Sequence, residues 1–488
     1  MASKPTGALA GQAKSRQMQR LRFLVTWRRM GAITFITMFG PLASRAQWET
    51  ENMEVTRRNF LGASAAAVIA AGTVTKGKVY GANEKIGVCV MGVGGRGGSH
   101  IDAFSSLEGS DLVALCDVDQ KTLEAKANAV QDKTGKRPKL YTDVREALAD
   151  PDVDALTIAT PNHWHTLATI WACEAGKDVY VEKPATHSIW EGRQLQAAAK
   201  KYNRIVQHGT QRRSEAVWIR DIQLLQSGDI IGPVYMARGL CYKNGNRGDI
   251  GFSEDQEPPA HLNWDLWQGP AARKAYNPEY HPYQWHWFWH YGNGEIGNQG
   301  VHQMDVGAWA MNKGLPVKVY SAGGRYTYKD QAETPNTNIT TYTYDDGTVF
   351  VFEVRNRFTN TEGGNLFSNG VGVGNLFYAD GGYYVEGQGF YDTKNQLIPV
   401  DDAKYPMPED ISCWQNFLTA VRSRKWEDIR GNVEDAHVSS AHCHMGAISY
   451  RLGRSLEFDP KTERFSDEQA NTMLKREYAP GFEVPELA

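Results

Sequence analysis

The sequence predicts an α/β protein in two parts: an N-terminal doubly wound parallel sheet, then a C-terminal α/β domain with an open, largely antiparallel sheet. Three observations carry this. From Lys85 the chain reads as strand, glycine turn, helix, strand (KIGVCVMGVGGRGGSHIDAFSSLEGSDLVALCDVD). Further apolar runs close at DALTIATP, DVYVEKP and IVQHGTQ with helical stretches between them, the alternation that builds parallel sheets. After SEAVWIRDIQLLQSGDIIG, a helix stopped by glycine, the pattern changes to long alternating aromatic segments (VYMARGLCY, NITTYTYDDGTVFVFEVRN, NLFYADGGYYVEGQGFYD). These read as antiparallel strands, with Asp346-Gly347 as a hairpin turn. The expected domains are 1–82, an extension and signal segment; 83–211, the parallel-sheet domain; 212–460, the second domain; and 461–488, a tail. Two helices, around CWQNFLTAVRSRK and EDAHVSSAHCHMGAISYRLGR, close the second domain.

A chain of 488 residues with 41% hydrophobic and 11% aromatic content can bury more than one core. The formal net charge of -3 and the lack of a dense basic block after the N-terminus disfavour nucleic acid as a partner. Six cysteines (Cys89, Cys116, Cys173, Cys241, Cys413, Cys443) lie scattered without a CxxC and read as reduced core residues.

The N-terminus departs from this soluble profile. MEVTRRNFLGASAAAVIAAG, Met53 to Gly72, sets twin arginines Arg57-Arg58 before Phe60-Leu61 and a short Ala-rich apolar run. It resembles a twin-arginine (Tat) export signal, with an apolar core too short for an ordinary membrane span and cleavage expected near Ala82. A membrane-anchored N-terminal helix is the competing reading. Upstream, WRRMGAITFITMFGPLASRA reads either as a Sec-like signal or as the product of an early start codon. A working signal implies the Tat machinery as a partner and a periplasmic or otherwise exported protein; without one the protein is cytoplasmic.

Gly92-Val93-Gly94-Gly95-Arg96-Gly97 matches GxGxxG between a strand and a helix, the context in which a backbone can approach a pyrophosphate at a helix N-terminus. Asp117 ends the next strand, placed to hold both ribose hydroxyls and to repel a 2′-phosphate, which favours NAD over NADP. GVGVG, Gly370 to Gly374, has no following helix and reads as a loop. TPNHWH (Thr160, Asn162, His165) and EKP (Glu182, Lys183) end successive strands, the sheet edge at which ligands bind, so both should face the cofactor.

The set GxGxxG, CDVD, TPNxxH, AGKxVxxEKP and GNxGVHxxD, in this order, resembles the Gfo/Idh/MocA oxidoreductases over about residues 84 to 460. The resemblance implies a Rossmann domain and a C-terminal domain whose open sheet floors the substrate pocket and often forms a homo-oligomer, dimer or tetramer. It also implies that Lys183 is catalytic, an ammonium that stabilises a developing alkoxide and exchanges its proton. Family members carry Asp, then His four residues later; here His302 matches the histidine, as a second catalytic group, while Asn298 stands at the aspartate position. Asn298 still bonds substrate hydroxyls, but it carries no proton near neutrality. His302 then works alone or is oriented by Asp305; a structural helix-capping histidine is the alternative.

YHPYQWHWFWHYGNG offers Tyr283, Trp285 and Trp287 as rings to stack on sugar C–H faces, or alternatively forms an aromatic core under a loop. His437, His442 and His444 share a helix at spacings that place them on different faces, so no metal is expected. The expected activity is hydride transfer between a sugar or cyclitol hydroxyl carbon and tightly bound NAD, because an exported enzyme has no free nicotinamide supply. Two alternatives remain: a redox-assisted glycosidase or lyase that uses NAD without net turnover, and a non-catalytic sugar-binding protein on a relic Rossmann fold.

Overall fold

The computed structural model describes residues 84–243, 248–356 and 372–488. The export-signal reading and its cleavage point therefore lie outside the described residues. No helix among the described residues is long and apolar enough to cross a membrane.

The first half forms a six-stranded parallel sheet: β1 (Ile86–Met91), β2 (Ser110–Cys116), β3 (Lys139–Tyr141), β4 (Ala155–Ile158), β5 (Asp178–Val181) and β6 (Val206–His208), in the order β3-β2-β1-β4-β5-β6. Crossovers are made by α1 (Gly95–Phe104), α2 (Gln120–Thr134), α3 (Val144–Ala149), α4 (Asn162–Glu174) and α5 (Ile189–Tyr202). Every residue of β1, IGVCVM, is buried, as expected of a strand covered by helices on both faces. Local chemistry sets the helix ends. Asp119 caps α2 through the amides of Lys121 and Thr122, Gly135 in the left-handed region ends it, and Ser188 caps α5.

After α6 (Ala216–Ser227) comes a ten-stranded sheet in the order β14-β13-β12-β11-β7-β10-β9-β8-β15-β16. Its centre is β7 (Val234–Tyr242), β8 (Lys318–Gly324), β9 (Thr337–Thr343), β10 (Val349–Arg355) and β11 (Gly372–Ala379); its flanks are β12 (Gly382–Val385), β13 (Gly389–Asp392), β14 (Leu397–Ile398), β15 (Leu456–Asp459) and β16 (Arg464–Phe465). All named pairings are antiparallel except β7 with β10. The expected hairpin at Asp346-Gly347 joins β9 to β10.

One expectation is corrected. Gly372 to Gly374 belong to β11, not to a loop: they pair with Tyr242, Cys241 and Leu240 of β7. The glycine at 372 is needed there because a Cβ would stand 2.4 Å from the Tyr242 side chain.

Between β7 and β8 run α7 (Trp264–Gln268), α8 (Gly294–Asn298) and α9 (Gly300–Ala310); α10 (Cys413–Ser423), α11 (Val433–Leu452) and α12 (Glu468–Asn471) follow β14. The halves are laced together. Phe417 and Val421 of α10 pack with Ile86, Phe104 and Tyr180 of the first sheet's layer. His444 of α11 bonds Thr186 at 3.1 Å, while Ser449 accepts from the amide of Ser321 in β8. The segment after 461 is docked: Arg476 and Tyr478 both bond Glu191, and Phe482 packs edge-on against Trp164. All six cysteines are buried, and none forms a disulfide.

Candidate active site

A cavity of about 480 Å³ opens at the carboxyl edge of the first sheet, by the paired strands β1 and β4 at which the strand order reverses. Its lining includes Gly92, Gly94, Gly95, Arg96 and Asp117, from the glycine loop and the turn after β2. It also includes Thr160, Asn162, His165, Glu182 and Lys183 from the turns after β4 and β5, and Tyr283, Trp285, His286 and Asn298 from the second half.

The glycine loop divides its work. A Cβ on Gly97 would lie 1.8 Å from the Gly92 carbonyl oxygen, so this residue seats α1 against its strand and stays out of the cavity. A Cβ on Gly94 would meet nothing within 4 Å, and Gly94 precedes a helix that has no side-chain cap. The first amides of α1 thus face open space, as a pyrophosphate requires. Asp117 accepts from the amides of Val93 at 2.8 Å and Asp119 at 2.9 Å, which fixes its carboxylate beside the loop. These residues fit a dinucleotide: Gly94 and Gly95 for the phosphates, Asp117 for a ribose. Gly94→Ala is expected to fold, since its backbone lies at φ -72, yet to lose about 1–3 kcal/mol of dinucleotide binding, the usual cost of forcing a methyl into a close contact. Titration of the refolded, emptied variant with NAD checks this.

At the end of β5, Glu182 is 4% exposed and accepts from Arg96 at 2.8 Å and from His100 at 3.2 Å. Burial pushes its carboxyl up, but His100, Arg96 and Lys183 outweigh that and hold it well below the usual carboxylate range. The next residue, Lys183, donates to the backbone carbonyl of Asn298 at 2.8 Å and lies 3.4 Å from its side-chain oxygen. Burial, foremost, and the charge of Lys243 push the Lys183 amine below its ordinary value, against Glu182 and Glu295. His165 spans the carbonyls of Thr160 and Pro184, tying the TPNHWH turn to the EKP turn. Asn162 donates to Asn293, whose amide reaches His444.

Besides Gly97, three expected positions fall elsewhere. Trp287 is 1% exposed, outside the cavity, and donates to Gln284. It sits in the 3-10 turn Gln284–Trp287, where a step of two residues swings a side chain to another side, so Trp285 faces the cavity and Trp287 does not. Asp305 is also outside: both its oxygens accept from Arg213 Nε at 2.9 Å, so it neither orients His302 nor reaches substrate. Burial pushes its carboxyl up to about 7, against the pull of Arg213. His302 does not line the cavity, because the helix breaks between α8 and α9 and the expected four-residue face with Asn298 is interrupted. Its ring is half-buried, and burial and the Lys183 charge hold it well below the ordinary histidine value.

Sequence reasoning missed His286, which stacks on Trp285 at 3.6 Å, and the pair Lys243 and Glu295 behind Asn298. The density of rings around 286 was a signal for the first; nothing local marked the second. Of the α11 histidines, His437 bonds Glu463, His442 bonds Tyr344 and His444 bonds Thr186.

A dinucleotide cleft on this sheet order, opening onto a desolvated amine, defines an NAD-binding oxidoreductase. The chain belongs to the Gfo/Idh/MocA oxidoreductase family. Residues 86–210 match its NAD-binding Rossmann fold, and residues 232–483, more than half of the chain, match its C-terminal alpha/beta domain. Among curated proteins, glycosyl hydrolase family 109 protein 1 of Shewanella sp. (strain MR-4) is 31% identical over 173 residues, covering 30% of this chain and 37% of the relative. An alpha-N-acetylgalactosaminidase of Shewanella oneidensis matches with the same identity and coverage. The chain thus spans little more than a third of the curated relatives it matches. Among solved structures, the WlbA dehydrogenase from Bordetella pertussis in complex with NADH and UDP-GlcNAcA aligns with TM-score 0.56 at 19% identity, over 77% of this chain and 98% of that one. Scyllo-inositol dehydrogenase from Lactobacillus casei with bound NAD(H) and scyllo-inositol aligns with TM-score 0.54 at 16% identity, over 77% and 99%. At these identities the likeness is one of fold.

Proposed function

We propose that this enzyme is an exported oxidoreductase acting on a hydroxyl-bearing carbon of a sugar or cyclitol, with NAD held tightly through the cycle. The observation that carries this is one cavity lined together by Gly94, Asp117, Lys183, Trp285 and His286. Bound there, NAD supplies the acceptor, and on reversal the donor, of the hydride that leaves or returns to the carbinol carbon. Gly94, Gly95 and Asp117 would bind it.

The remaining chemistry belongs to the chain. The stacked rings of Trp285 and His286 present an apolar face with polar edges, suited to a pyranose or cyclitol. Lys183 donates a hydrogen bond to the reacting hydroxyl oxygen, stabilises it as its C–H bond breaks, and takes the O–H proton in its neutral form. Asn298 anchors the amine through its carbonyl. His302 lies outside the cavity, and burial and the Lys183 charge hold it neutral, so the proton is not routed through it.

Export through the Tat signal accounts for the tight cofactor, because a folded protein carries its bound NAD out with it. The exposed Tyr320 and Ile339, on one face of β8 and β9, favour a homo-oligomer that covers the open sheet.

A second reading is favoured by the family 109 relatives: transient oxidation acidifies a neighbouring C–H, an aglycone is eliminated, water adds and the hydride returns. Incubating the purified protein with free sugars and with aryl glycosides, without added NAD, separates the two. A ketosugar with stoichiometric NADH marks the dehydrogenase. Aglycone release without net NADH marks the glycosidase. Neither product across the panel contradicts both.

A further inference from the structure

The resemblance expects a carboxylate beside Lys183, and Asn298 does not supply one. A buried carboxylate nevertheless stands on the same short helix. Glu295, three residues before Asn298 on α8, is 1% exposed, and its Oε1 lies 2.6 Å from Lys243 Nζ. Residues three apart on a helix share a side, so Glu295 and Asn298 project together. Lys243 is fixed at the end of β7 by its amide, which donates to the Arg355 carbonyl at 2.9 Å, and its side chain is 21% exposed. The Cys241 thiol and the Asn356 amide also donate to Glu295. The chain of contacts therefore runs from β7 through Lys243 and Glu295 to α8, and from its last residue, Asn298, through a carbonyl to the Lys183 amine at 2.8 Å.

We propose that Glu295 and Lys243 are positioning residues for Lys183: the pair clamps α8 so that the Asn298 carbonyl holds the amine, and its two charges bear on that amine in opposite directions. The proposal deepens the reading of Lys183 given above and rests on it for the meaning of that amine. Burying the Glu295 carboxylate has a large desolvation cost, so as a mere packing element it is a poor choice, whereas charges held in a low-dielectric setting act strongly at short range.

Other charged and titratable groups near Lys183 are Glu182 at the end of β5, Arg96 of α1, the Cys443 thiol of α11, which burial pushes up, and His165, His208 and His302, which burial holds below the ordinary histidine value. None of them changes in the variants below.

The test reads Lys183 itself. The full-length holoenzyme is acetylated briefly with acetic anhydride over a pH series, and modification at Lys183 is followed by peptide mass spectrometry. Only the neutral amine reacts, so the midpoint of the profile reports its protonation. Glu295→Gln removes a negative neighbour and is expected to lower the midpoint; Lys243→Met removes a positive one and is expected to raise it, each by about one pH unit. Lys243→Arg should return it towards the wild-type value. A merely structural pair would move both neutral variants the same way, by loosening the site. Shifts of the same sign, or no shift in either, overturn the proposal. Should Glu295→Gln fail to fold, the Lys243→Met and Lys243→Arg profiles decide alone: an unmoved Lys243→Met midpoint overturns it. Because the readout needs no substrate, its failure is distinct from a failure to find sugar oxidation.

Discussion

Replacing Lys183 with methionine is expected to lower turnover by about 10²–10⁴-fold while leaving the bound dinucleotide in place, the range for loss of a positioned acid–base group. The separation of these outcomes follows from the geometry. The glycine loop, Asp117 and Lys183 line one cavity, but the amine's hydrogen bonds go to Asn298 rather than to the loop. Methionine keeps the length of the stem in a pocket that already desolvates it. Turnover of the sugar or glycoside identified for the wild type, set beside dinucleotide released on denaturation, checks both halves. An unchanged rate with the cofactor still bound favours a sugar-binding protein on a relic fold.

The largest stability effect is expected away from the chemistry. Arg213 is 11% exposed and Asp305 1%; Arg213 also reaches Asp435 at 3.1 Å and lies over the Trp309 ring at 4.8 Å. One guanidinium thus joins the turn after β6 to α9 and α11. Arg213→Met leaves the Asp305 carboxylate buried without its partner and is expected to cost about 3–5 kcal/mol, whereas Arg213→Met combined with Asp305→Leu should recover much of that. The loss also depends on pH. Burial raises the folded carboxyl, so the lone Asp305 is tolerated when protonated, and the variant's deficit should grow as the pH rises through about 7. Denaturant melts of the single and double variants at two pH values measure both effects.

Much of this architecture was legible in the chain. Strand and helix alternation gave the parallel sheet, and GxGxxG, TPNHWH and EKP fell at its carboxyl edge because each follows a buried strand directly. The site was legible where function sits on such an edge and illegible where it depends on distant pairing. Asp305 and Arg213 are 92 residues apart, and Lys243 and Glu295 are 52 apart, so nothing in either neighbourhood announced the partner. Trp285 and Trp287 could not be told apart without knowing that a 3-10 turn carries them. The placement of His302 depended on a helix break after Asn298 that the run GNQGVHQMD does not advertise, since its glycines suit a turn and a tightly packed helix equally.

The central claim is that the cleft at the edge of the first sheet holds NAD tightly. The direct measurement is to purify the exported protein without added cofactor, denature it, and quantify the nicotinamide dinucleotide released per chain. The account predicts near-stoichiometric NAD. Empty protein that rebinds NAD only weakly would contradict it.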